Sequence, residues 1–293
     1  MTLQQAFNKA RQMLEEASIE EHDIDAWYLL EYVTGISKSQ YYGNPYKEIS
    51  SDKEEEYFNC IEKRKKHIPL QHITGVQDFY GLTFNVNENV LIPRQDTEVL
   101  VEEVLTVINT KLNKKELSVL LNKKELSVLD MCTGSGCIIL SALKYADKNI
   151  LCRGTGADIS LKALEVARGN SLKLGIEADF IHSDLFEKLC GKWDIIVSNP
   201  PYIRSDVIPT LSKEVKDHDP MLALDGMEDG LYFYRKIVDK SVDHIKDGGW
   251  LMFEIGHDQG TDVKKLMENA GYKDVYVKKD LAGLDRIVCG MYY

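Results

Sequence analysis

The Ser-Asn-Pro-Pro-Tyr sequence at positions 198–202 has the residue types and the position that are needed to hold a planar NH2 group. It directly follows a run of apolar residues that predicts a buried strand. Pro200 and Pro201 fix the backbone and donate no hydrogen bonds, so the carbonyl groups around them are rigid acceptors. The Asn199 side-chain oxygen and the Pro200 carbonyl can each accept one N–H, while Tyr202 offers a flat surface. An ordinary proline turn is the alternative interpretation.

An amide nitrogen held by two such acceptors is a target for methylation. This nitrogen is a poor nucleophile because its lone pair is delocalised into the carbonyl group. Acceptors on its two hydrogens would align the lone pair with a sulfonium methyl group and favour the developing positive charge. No metal or side-chain nucleophile is then needed, and the sequence contains no HExxH, GxSxG or GxxxxGK[ST] motif.

A turn rich in small residues lies between a predicted strand and a predicted helix. It consists of Cys132, Thr133, Gly134, Ser135 and Gly136. Glycines at such a turn let a ligand approach the backbone closely. A dinucleotide motif would place a third glycine where Ile139 stands, so the turn favours a nucleoside without a pyrophosphate over NAD. A plain tight turn is the alternative.

Acidic residues follow the next two predicted strands. Asp158 is placed to accept hydrogen bonds from both ribose hydroxyls of a nucleoside. Helix capping is its alternative role, but Ser160 is already placed for capping, which leaves Asp158 free. Asp184 could pair with an adenine amino group and Leu185 could pack against the ring, with a surface turn as the alternative for both.

From Asp96 onward, strands alternate with helices, which predicts a parallel sheet with helices on both faces. The predicted strands are Ser127–Met131, Leu151–Ala157, Asp179–His182, Asp194–Ser198, Trp250–Glu254, Val275–Val277 and Arg286–Met291. The helices between them are expected to start near Cys137, Leu161, Leu231 and Gln259. A turn at Gly271 follows the last helix and precedes two strands. These two strands are predicted to form a terminal hairpin, which would give the parallel sheet an antiparallel edge.

The residues before Asp96 are predicted to be mostly helical. A capping-box pattern begins the first helix at Thr2. Asp23 is predicted to cap a second helix that Gly35 ends, and Ser51 begins a third. Residues from about 71 to 92 predict a strand pair between two domains.

A stretch of nine residues is duplicated in tandem. Leu112–Leu120 recurs without change as Leu121–Leu129. The second copy must supply the first strand of the sheet, because it runs straight into Asp130. The first copy is then expected to extend a helix or to form a surface loop, where an insertion costs little stability.

Composition indicates a globular protein and disfavours non-specific binding to nucleic acid. The 293 residues carry a formal net charge of −11, which disfavours attraction to a phosphate backbone. The basic run Lys63–Lys66 is interpreted as a solvated helix end. The six cysteines form no CxxC pair, and we expect them to be core thiols in a reducing compartment rather than metal ligands. No secretion signal or membrane-spanning run is evident, so a cytoplasmic location is expected.

Together these residues closely resemble the release-factor glutamine methyltransferases, the HemK/PrmC family, over almost the whole chain. Asn-Pro-Pro-Tyr also occurs in adenine methyltransferases, so the flanking segments carry the specificity. These segments are Pro69–Gly75, Leu91–Glu98, Asp225–Leu231 and Lys279–Arg286.

The resemblance implies a fold and a domain order. Residues 1–70 would form a helical substrate-docking domain, residues 71–95 a β-hairpin linker, and residues 96–293 a Rossmann-like class I methyltransferase domain that uses S-adenosyl-L-methionine. The substrate implied is the glutamine of the Gly-Gly-Gln motif in peptide-chain release factors.

The resemblance also implies roles for single residues. The turn from Cys132 to Gly136 and Asp158 would hold the cofactor, with Asp184 and Leu185 at its adenine. Asn199 to Tyr202 would hold the glutamine, and Asn199 is also expected to contact the cofactor. The chain departs from the family pattern at Cys132, where glycine is usual, and there the thiol could narrow the methionine end of the pocket.

Three other functions fit parts of the sequence. A sibling enzyme would methylate a glutamine of a ribosomal protein, and an adenine methyltransferase would act on DNA or RNA. The acidic charge and the lack of a basic, aromatic-rich groove disfavour the latter. A nucleoside-binding module without catalysis is the third, and the presence of Asn199 and Asp158 disfavours it. We expect a monomer that binds a protein substrate, without a membrane or sequence-specific nucleic acid as partner.

Overall fold

The computed structural model describes residues 1–111 and 125–293. The chain folds into two compact units. The first unit contains Met1–Val76 and Ser212–His218, and the second contains Gln77–Leu211 and Asp219–Tyr293. The helix extension or loop predicted for the first copy of the tandem duplication lies outside the described residues.

The first unit is helical. Its helices are α1 (Leu3–Glu16), α2 (His22–Thr34), α3 (Lys38–Gly43), α4 (Ser51–Arg64), α5 (Leu70–Thr74) and the short helix Lys213–His218. The predicted capping box of α1 is confirmed, because the Thr2 hydroxyl accepts the Gln5 N–H at 3.3 Å and the Gln5 side chain accepts the Thr2 N–H at 3.0 Å. Gly35 ends α2 in the left-handed conformation, as predicted.

Two local predictions in this region are wrong. Asp23 does not cap α2, which begins one residue earlier at His22, so Asp23 lies in the first turn. The strand pair is also shorter than expected, because α5 occupies Leu70–Thr74. The hairpin itself consists of β1 (Val76–Phe79) and β2 (Leu82–Asn85), which pair as a two-stranded sheet.

The basic run at the end of α4 is not wholly solvated. Arg64 is 4% exposed, and its Nε donates to the Asp25 carboxylate at 2.7 Å. Its guanidinium also pairs with Glu214 of the short helix Lys213–His218. The predicted solvated end is therefore wrong for Arg64, because two carboxylates compensate the buried guanidinium.

The second unit is built on a seven-stranded sheet. In chain order its longer elements are α6 (Glu98–Thr106), β3 (Glu125–Met131), α7 (Cys137–Tyr145), β4 (Leu151–Asp158), α8 (Leu161–Leu174), β5 (Asp179–His182), β6 (Trp193–Ser198), α9 (Tyr232–His244), β7 (Ile245–Glu254), α10 (Gly260–Asn269), β8 (Lys273–Lys279) and β9 (Asp285–Met291). Short helical segments occur at Gln95–Thr97, Val107–Lys111, Ile208–Thr210 and Met221–Leu224.

The strand order is β5-β4-β3-β6-β7-β9-β8. Strands β3 to β7 are parallel, and β9 runs antiparallel to both β7 and β8. The predicted parallel sheet with an antiparallel hairpin at its edge is confirmed. The chain moves outward from β3 to β5 and then returns to place β6 on the other side of β3. In open α/β sheets, ligands bind at the carboxyl ends of the strands beside such a reversal.

The second copy of the duplication supplies the first strand of the sheet, as predicted, because Glu125–Leu129 lie in β3. The thiols of Cys60, Cys137 and Cys289 are buried, but Cys190 is exposed, so the expectation of a core position is wrong for that residue. Within residues 1–111 and 125–293, no helix combines the length and the apolar character that crossing a bilayer requires.

Candidate active site

A pocket opens at the carboxyl edge of the sheet in the second unit. Turns that follow β3, β4, β5 and β6 form one side of it, with further wall from the 89–97 segment and from residues 220–223. Most of the predicted site residues lie on this wall: Cys132, Thr133, Gly134, Ser135, Asp158, Asp184, Leu185, Asn199 and Pro201. Gly136, Pro200 and Tyr202 do not.

The turn after β3 leaves open space above its backbone. Gly134 has a φ of +54°, and a Cβ added there would meet no heavy atom within 4 Å. Gly136, with a φ of +79°, instead begins α7, where an added Cβ would lie 3.3 Å from Ala167 and Leu140 side-chain atoms. The first glycine therefore exposes the turn to a ligand, and the second allows the helix to pack against its neighbours.

Asp158 joins this turn to the end of β4. Its Oδ2 accepts the Gly134 N–H at 2.9 Å and its Oδ1 accepts the Ser160 N–H at 2.8 Å. Burial raises the pKa of Asp158, and these backbone hydrogen bonds oppose that rise. Ser160 caps α8 as predicted, by accepting the Ala163 N–H at 3.2 Å. The expectation of a free Asp158 is wrong, but a carboxylate oxygen can accept more than one hydrogen bond, and Asp158 lies on the pocket wall.

Asp130, the penultimate residue of β3, braces the turn from below. It is fully buried, and its Oδ2 accepts from the Thr133 hydroxyl at 2.6 Å and from the Ile139 N–H at 3.3 Å. Burial raises the pKa of this carboxyl group to about 7. Its Oδ1 has no hydrogen-bond partner among the described residues. Asp130 has no predicted role, although a charged residue inside an apolar strand is a visible signal in the sequence.

The turn after β6 presents Asn199 and Pro201 to the pocket. Tyr202 is partly buried and packs against the apolar cluster between the sheet and α9. The aromatic side chain on the wall is Phe233 of α9. The role of Tyr202 as a flat surface for the substrate stays a prediction.

Gln259, Gly226 and Gly230 hold the backbone of Tyr202 in place. The Gln259 side chain donates to the Tyr202 carbonyl at 3.1 Å and to the Gly230 carbonyl at 3.2 Å. A Cβ added at Gly226 would lie 2.7 Å from the Tyr202 Cα. The segment from Asp225 to Leu231 therefore requires glycine because it packs directly on the Asn-Pro-Pro-Tyr turn.

Asn199 also touches residues that the sequence analysis did not assign to this side chain. Its Nδ2 donates to the Thr97 hydroxyl at 3.5 Å. Beside it lies Glu254, the last residue of β7, which is 2% exposed; Ser198 pairs with Phe253, so the residues that follow them are neighbours. Burial raises the pKa of Glu254 to about 7, and the polar side chains of Thr97 and Asn199 oppose the rise. The sequence signal that could have identified Glu254 is its place at the end of the apolar run that forms β7.

Arg94 completes the rim of the pocket. Its guanidinium donates to the buried carboxylate of Asp219 at 2.8 Å, and Asp219 directly precedes the wall residue Pro220. Arg94 and Thr97 thus bring the Leu91–Glu98 segment to the site. Over the described ranges, no group of three or more His, Cys, Asp or Glu side chains is arranged to hold a metal ion.

Comparisons with known proteins agree with this geometry. Residues 5–75 match the family model of the PrmC N-terminal domain, and residues 111–215 match that of the methyltransferase small domain. A release factor glutamine methyltransferase of Clostridium acetobutylicum is 41% identical over 98% of both chains. A second, of Caulobacter vibrioides, is 37% identical over 99% of this chain and 96% of the relative.

A solved structure supports the fold. A methyltransferase from Pyrococcus furiosus aligns with a TM-score of 0.51 at 15% identity, over 73% of this chain and 90% of the other. The parallel sheet and its edge hairpin are therefore the Rossmann-like fold of class I methyltransferases, as expected. With this fold, this pocket and relatives of this length and identity, the chain belongs to the release factor glutamine methyltransferase family.

Proposed function

We propose that the protein transfers a methyl group from S-adenosyl-L-methionine to the side-chain amide nitrogen of the glutamine in the Gly-Gly-Gln motif of peptide-chain release factors. The observation that carries this proposal is the placement of the Asn199 amide on the same pocket wall as the Gly134 turn and Asp158. The relatives named for this activity match the chain over nearly its full length.

The residues present fit the cofactor. The turn from Cys132 to Ser135 offers open backbone, Asp158 retains lone pairs for ribose hydroxyls, and Leu185 offers an apolar surface for adenine beside Asp184. When bound, S-adenosyl-L-methionine supplies a methyl group activated by a sulfonium. Asp130 supports this site indirectly, because it fixes Thr133 and the start of α7.

The Asn-Pro-Pro-Tyr turn would prepare the substrate. The Asn199 Oδ1 and the Pro200 carbonyl would each accept one of the two amide hydrogens. This would align the nitrogen lone pair with the methyl group rather than with the acceptors. The bond from the methyl group to the sulfonium would break as its bond to nitrogen forms, and the nitrogen would then lose one of its two protons to solvent. The acceptors stabilise the positive charge that develops on nitrogen, and their rigidity removes much of the cost of orientation. Apolar wall residues, including Leu91, Ile138 and Phe233, would exclude water from the reacting groups.

Cys132 tests the cofactor side of this pocket. Its φ is +61°, a left-handed conformation that suits glycine and strains a β-branched residue. We expect Cys132→Gly to leave the Kd for S-adenosyl-L-methionine within about threefold, and Cys132→Val to raise it at least about tenfold, since strain of this kind costs about 1–3 kcal/mol. Calorimetric titration of both variants measures this, with melting temperatures as the folding control. Equal affinity in the valine variant would contradict the placement of Cys132.

We also propose that the helical unit docks the release factor. On α2, Ile24, Tyr28 and Tyr32 recur at helical spacing and are 49%, 49% and 51% exposed. Exposed tyrosines are typical of protein interfaces. The double variant Tyr28→Ala/Tyr32→Ala should raise KM for the intact factor about tenfold or more, and leave methylation of a short Gly-Gly-Gln peptide unchanged. Tyr293→Ala, which removes another exposed tyrosine, is the control. Equal losses on both substrates would refute docking by this face.

Comparing substrates tests the proposed function as a whole. The enzyme would be incubated with labelled cofactor and, separately, with release factors, ribosomal proteins and DNA. We expect labelling of release factors at the highest initial rate, by a monomeric enzyme that acts in the cytoplasm. The net charge of −11 opposes non-specific binding to DNA. Faster labelling of a ribosomal protein would favour the sibling activity, and labelling of adenine would overturn the assignment.

A further inference from the structure

Asn199 can serve as an acceptor only if its side-chain amide has one particular orientation. With Oδ1 toward the pocket, it accepts an N–H from a carboxamide. If the amide were rotated by half a turn, its own NH2 group would face the NH2 group of the substrate, and both would be donors. Something in the protein must therefore distinguish the two orientations, which are otherwise equal in shape.

Two groups that can accept a hydrogen bond lie beside the Asn199 amide. Thr97, which is 2% exposed, places its hydroxyl oxygen 3.5 Å from Asn199 Nδ2. Glu254 is equally buried and lies next to the same residue. The register explains this meeting, because Ser198 pairs with Phe253 across β6 and β7, so the residues that follow them emerge side by side.

Burial of the Glu254 carboxyl group costs folding free energy, which suggests that the residue has a function. Its Oε2 has no hydrogen-bond partner in the described part of the chain, and an unsatisfied buried carboxylate oxygen is strongly destabilising. Glu254 is not part of the pocket wall, so it does not reach the substrate directly. Its backbone is held in place, because the Tyr234 hydroxyl donates to the Glu254 carbonyl at 2.9 Å.

We propose that Glu254 is a positioning residue, which holds the Asn199 amide with Nδ2 turned inward and Oδ1 toward the substrate carboxamide. This inference rests on the proposed function, since it assumes that Asn199 receives an NH2 group. An ionised carboxylate can only accept, so it binds Nδ2 and excludes the rotated amide. A protonated carboxyl group can donate to Oδ1 and would stabilise the rotated, unproductive orientation.

The proposal predicts a pH dependence with a defined sign. Because the pKa of Glu254 is raised to about 7, the carboxylate is lost as the pH falls through that value, and methyl transfer should fall with it. The charged or titratable groups that face Glu254 are Arg286, Asp96, Cys137, Tyr202 and Tyr234. Burial raises the pKa of the Cys137 thiol and of both tyrosines, so these three stay neutral in this range.

The test compares wild type, Glu254→Gln, Asn199→Ala and the double variant. Glutamine keeps the shape of glutamate but can donate, so we expect kcat/KM for the release factor to fall at least about tenfold, with the Kd for S-adenosyl-L-methionine unchanged. The part of the wild-type decline below pH 7 that comes from Glu254 should disappear in Glu254→Gln, while any part that comes from Asp130, whose pKa burial also raises to about 7, should remain. In the Asn199→Ala background, Glu254→Gln should cause no further loss, because the residue acts through Asn199.

Each outcome decides the matter. Suppose that the wild type is active and Glu254→Gln is unaffected, or that Glu254→Gln lowers kcat/KM as much in the Asn199→Ala background as in the wild type. Either result would overturn the positioning role and leave the proposed function standing. A wild-type enzyme that does not methylate the release factor would overturn both. If Glu254→Gln fails to fold, Thr97→Val offers the second route, because it removes the hydroxyl that accepts from Asn199 Nδ2 and also lies beside Glu254. It should lower kcat/KM without changing cofactor affinity, and an unchanged kcat/KM would overturn the positioning of Asn199.

Discussion

Replacing Asn199 with alanine is expected to lower kcat for release-factor methylation roughly 10²- to 10³-fold, the loss typical of removing one preorganised polar group from a reacting centre. The Pro200 carbonyl would remain, so one of the two substrate hydrogens would lose its acceptor. The Kd for S-adenosyl-L-methionine should change little, because the cofactor is held mainly by the turn after β3 and by Asp158. Single-turnover methylation and calorimetric titration separate these two quantities.

Two comparisons support the interpretation of this variant. Asn149→Ala removes an exposed asparagine outside the site and should retain full activity. Asn199→Asp keeps an acceptor but places a second carboxylate beside Glu254, so it should also be impaired. Activity of Asn199→Ala within threefold of wild type would mean that another group receives the substrate amide.

Asp158→Ala is expected to produce the largest loss of cofactor affinity. Hydrogen bonds to a charged group contribute about 1.5–3 kcal/mol each, so losing contacts to two ribose hydroxyls should raise the Kd roughly 10²-fold or more. The variant also removes the acceptor that holds the Gly134 N–H at 2.9 Å, which loosens the turn itself. Asp158→Asn, which keeps the shape and one oxygen acceptor, should lie between wild type and alanine.

A carboxylate at the opposite end of the sheet provides the control for Asp158. Asp194 lies near the amino end of β6. Its carboxylate accepts a hydrogen bond from the Lys246 ammonium group at 2.7 Å and from the Ser127 N–H at 2.8 Å. Asp194→Asn should lower the melting temperature slightly without changing the Kd for the cofactor. If Asp158→Asn and Asp194→Asn affected cofactor affinity equally, the ribose role of Asp158 would be refuted.

The sheet could be predicted from sequence where apolar residues run without interruption. The strand beginning at Asp179 was predicted with both its ends, and β6 differs from its prediction by one residue. By contrast, β7 begins at Ile245 rather than Trp250. Its first residues include Lys246, Asp247 and two glycines, which mask the strand pattern although the backbone pairs with β6.

The short helix Lys213–His218 could not be predicted, because it is charged and has no apolar stripe. Within the first unit, its Glu214 meets Arg64 of α4, a residue 150 positions away in sequence. The same contact explains why the basic run was misjudged. Local spacing identifies a charged segment but does not reveal a distant partner.

The site shows the same division. The positions of the motifs were enough to predict that Asn199, Asp158 and the turn after β3 meet in one pocket, because the carboxyl ends of parallel strands lie at the same edge of a sheet. The backbone bonds of Asp158, the packing of Tyr202 against the apolar cluster beside α9 and the position of Glu254 next to Asn199 depend on tertiary placement. The roles of the individual site residues remain predictions that the variants above address.

The most direct measurement locates the transferred methyl group. A release factor would be incubated with S-adenosyl-L-methionine and either wild-type enzyme or Asn199→Ala, then digested and fragmented in a mass spectrometer. We predict one methyl group on the side-chain nitrogen of the Gly-Gly-Gln glutamine with wild type, and almost none with the variant. A methyl group on any other residue, or equal labelling by Asn199→Ala, would contradict a pocket that holds a carboxamide through Asn199.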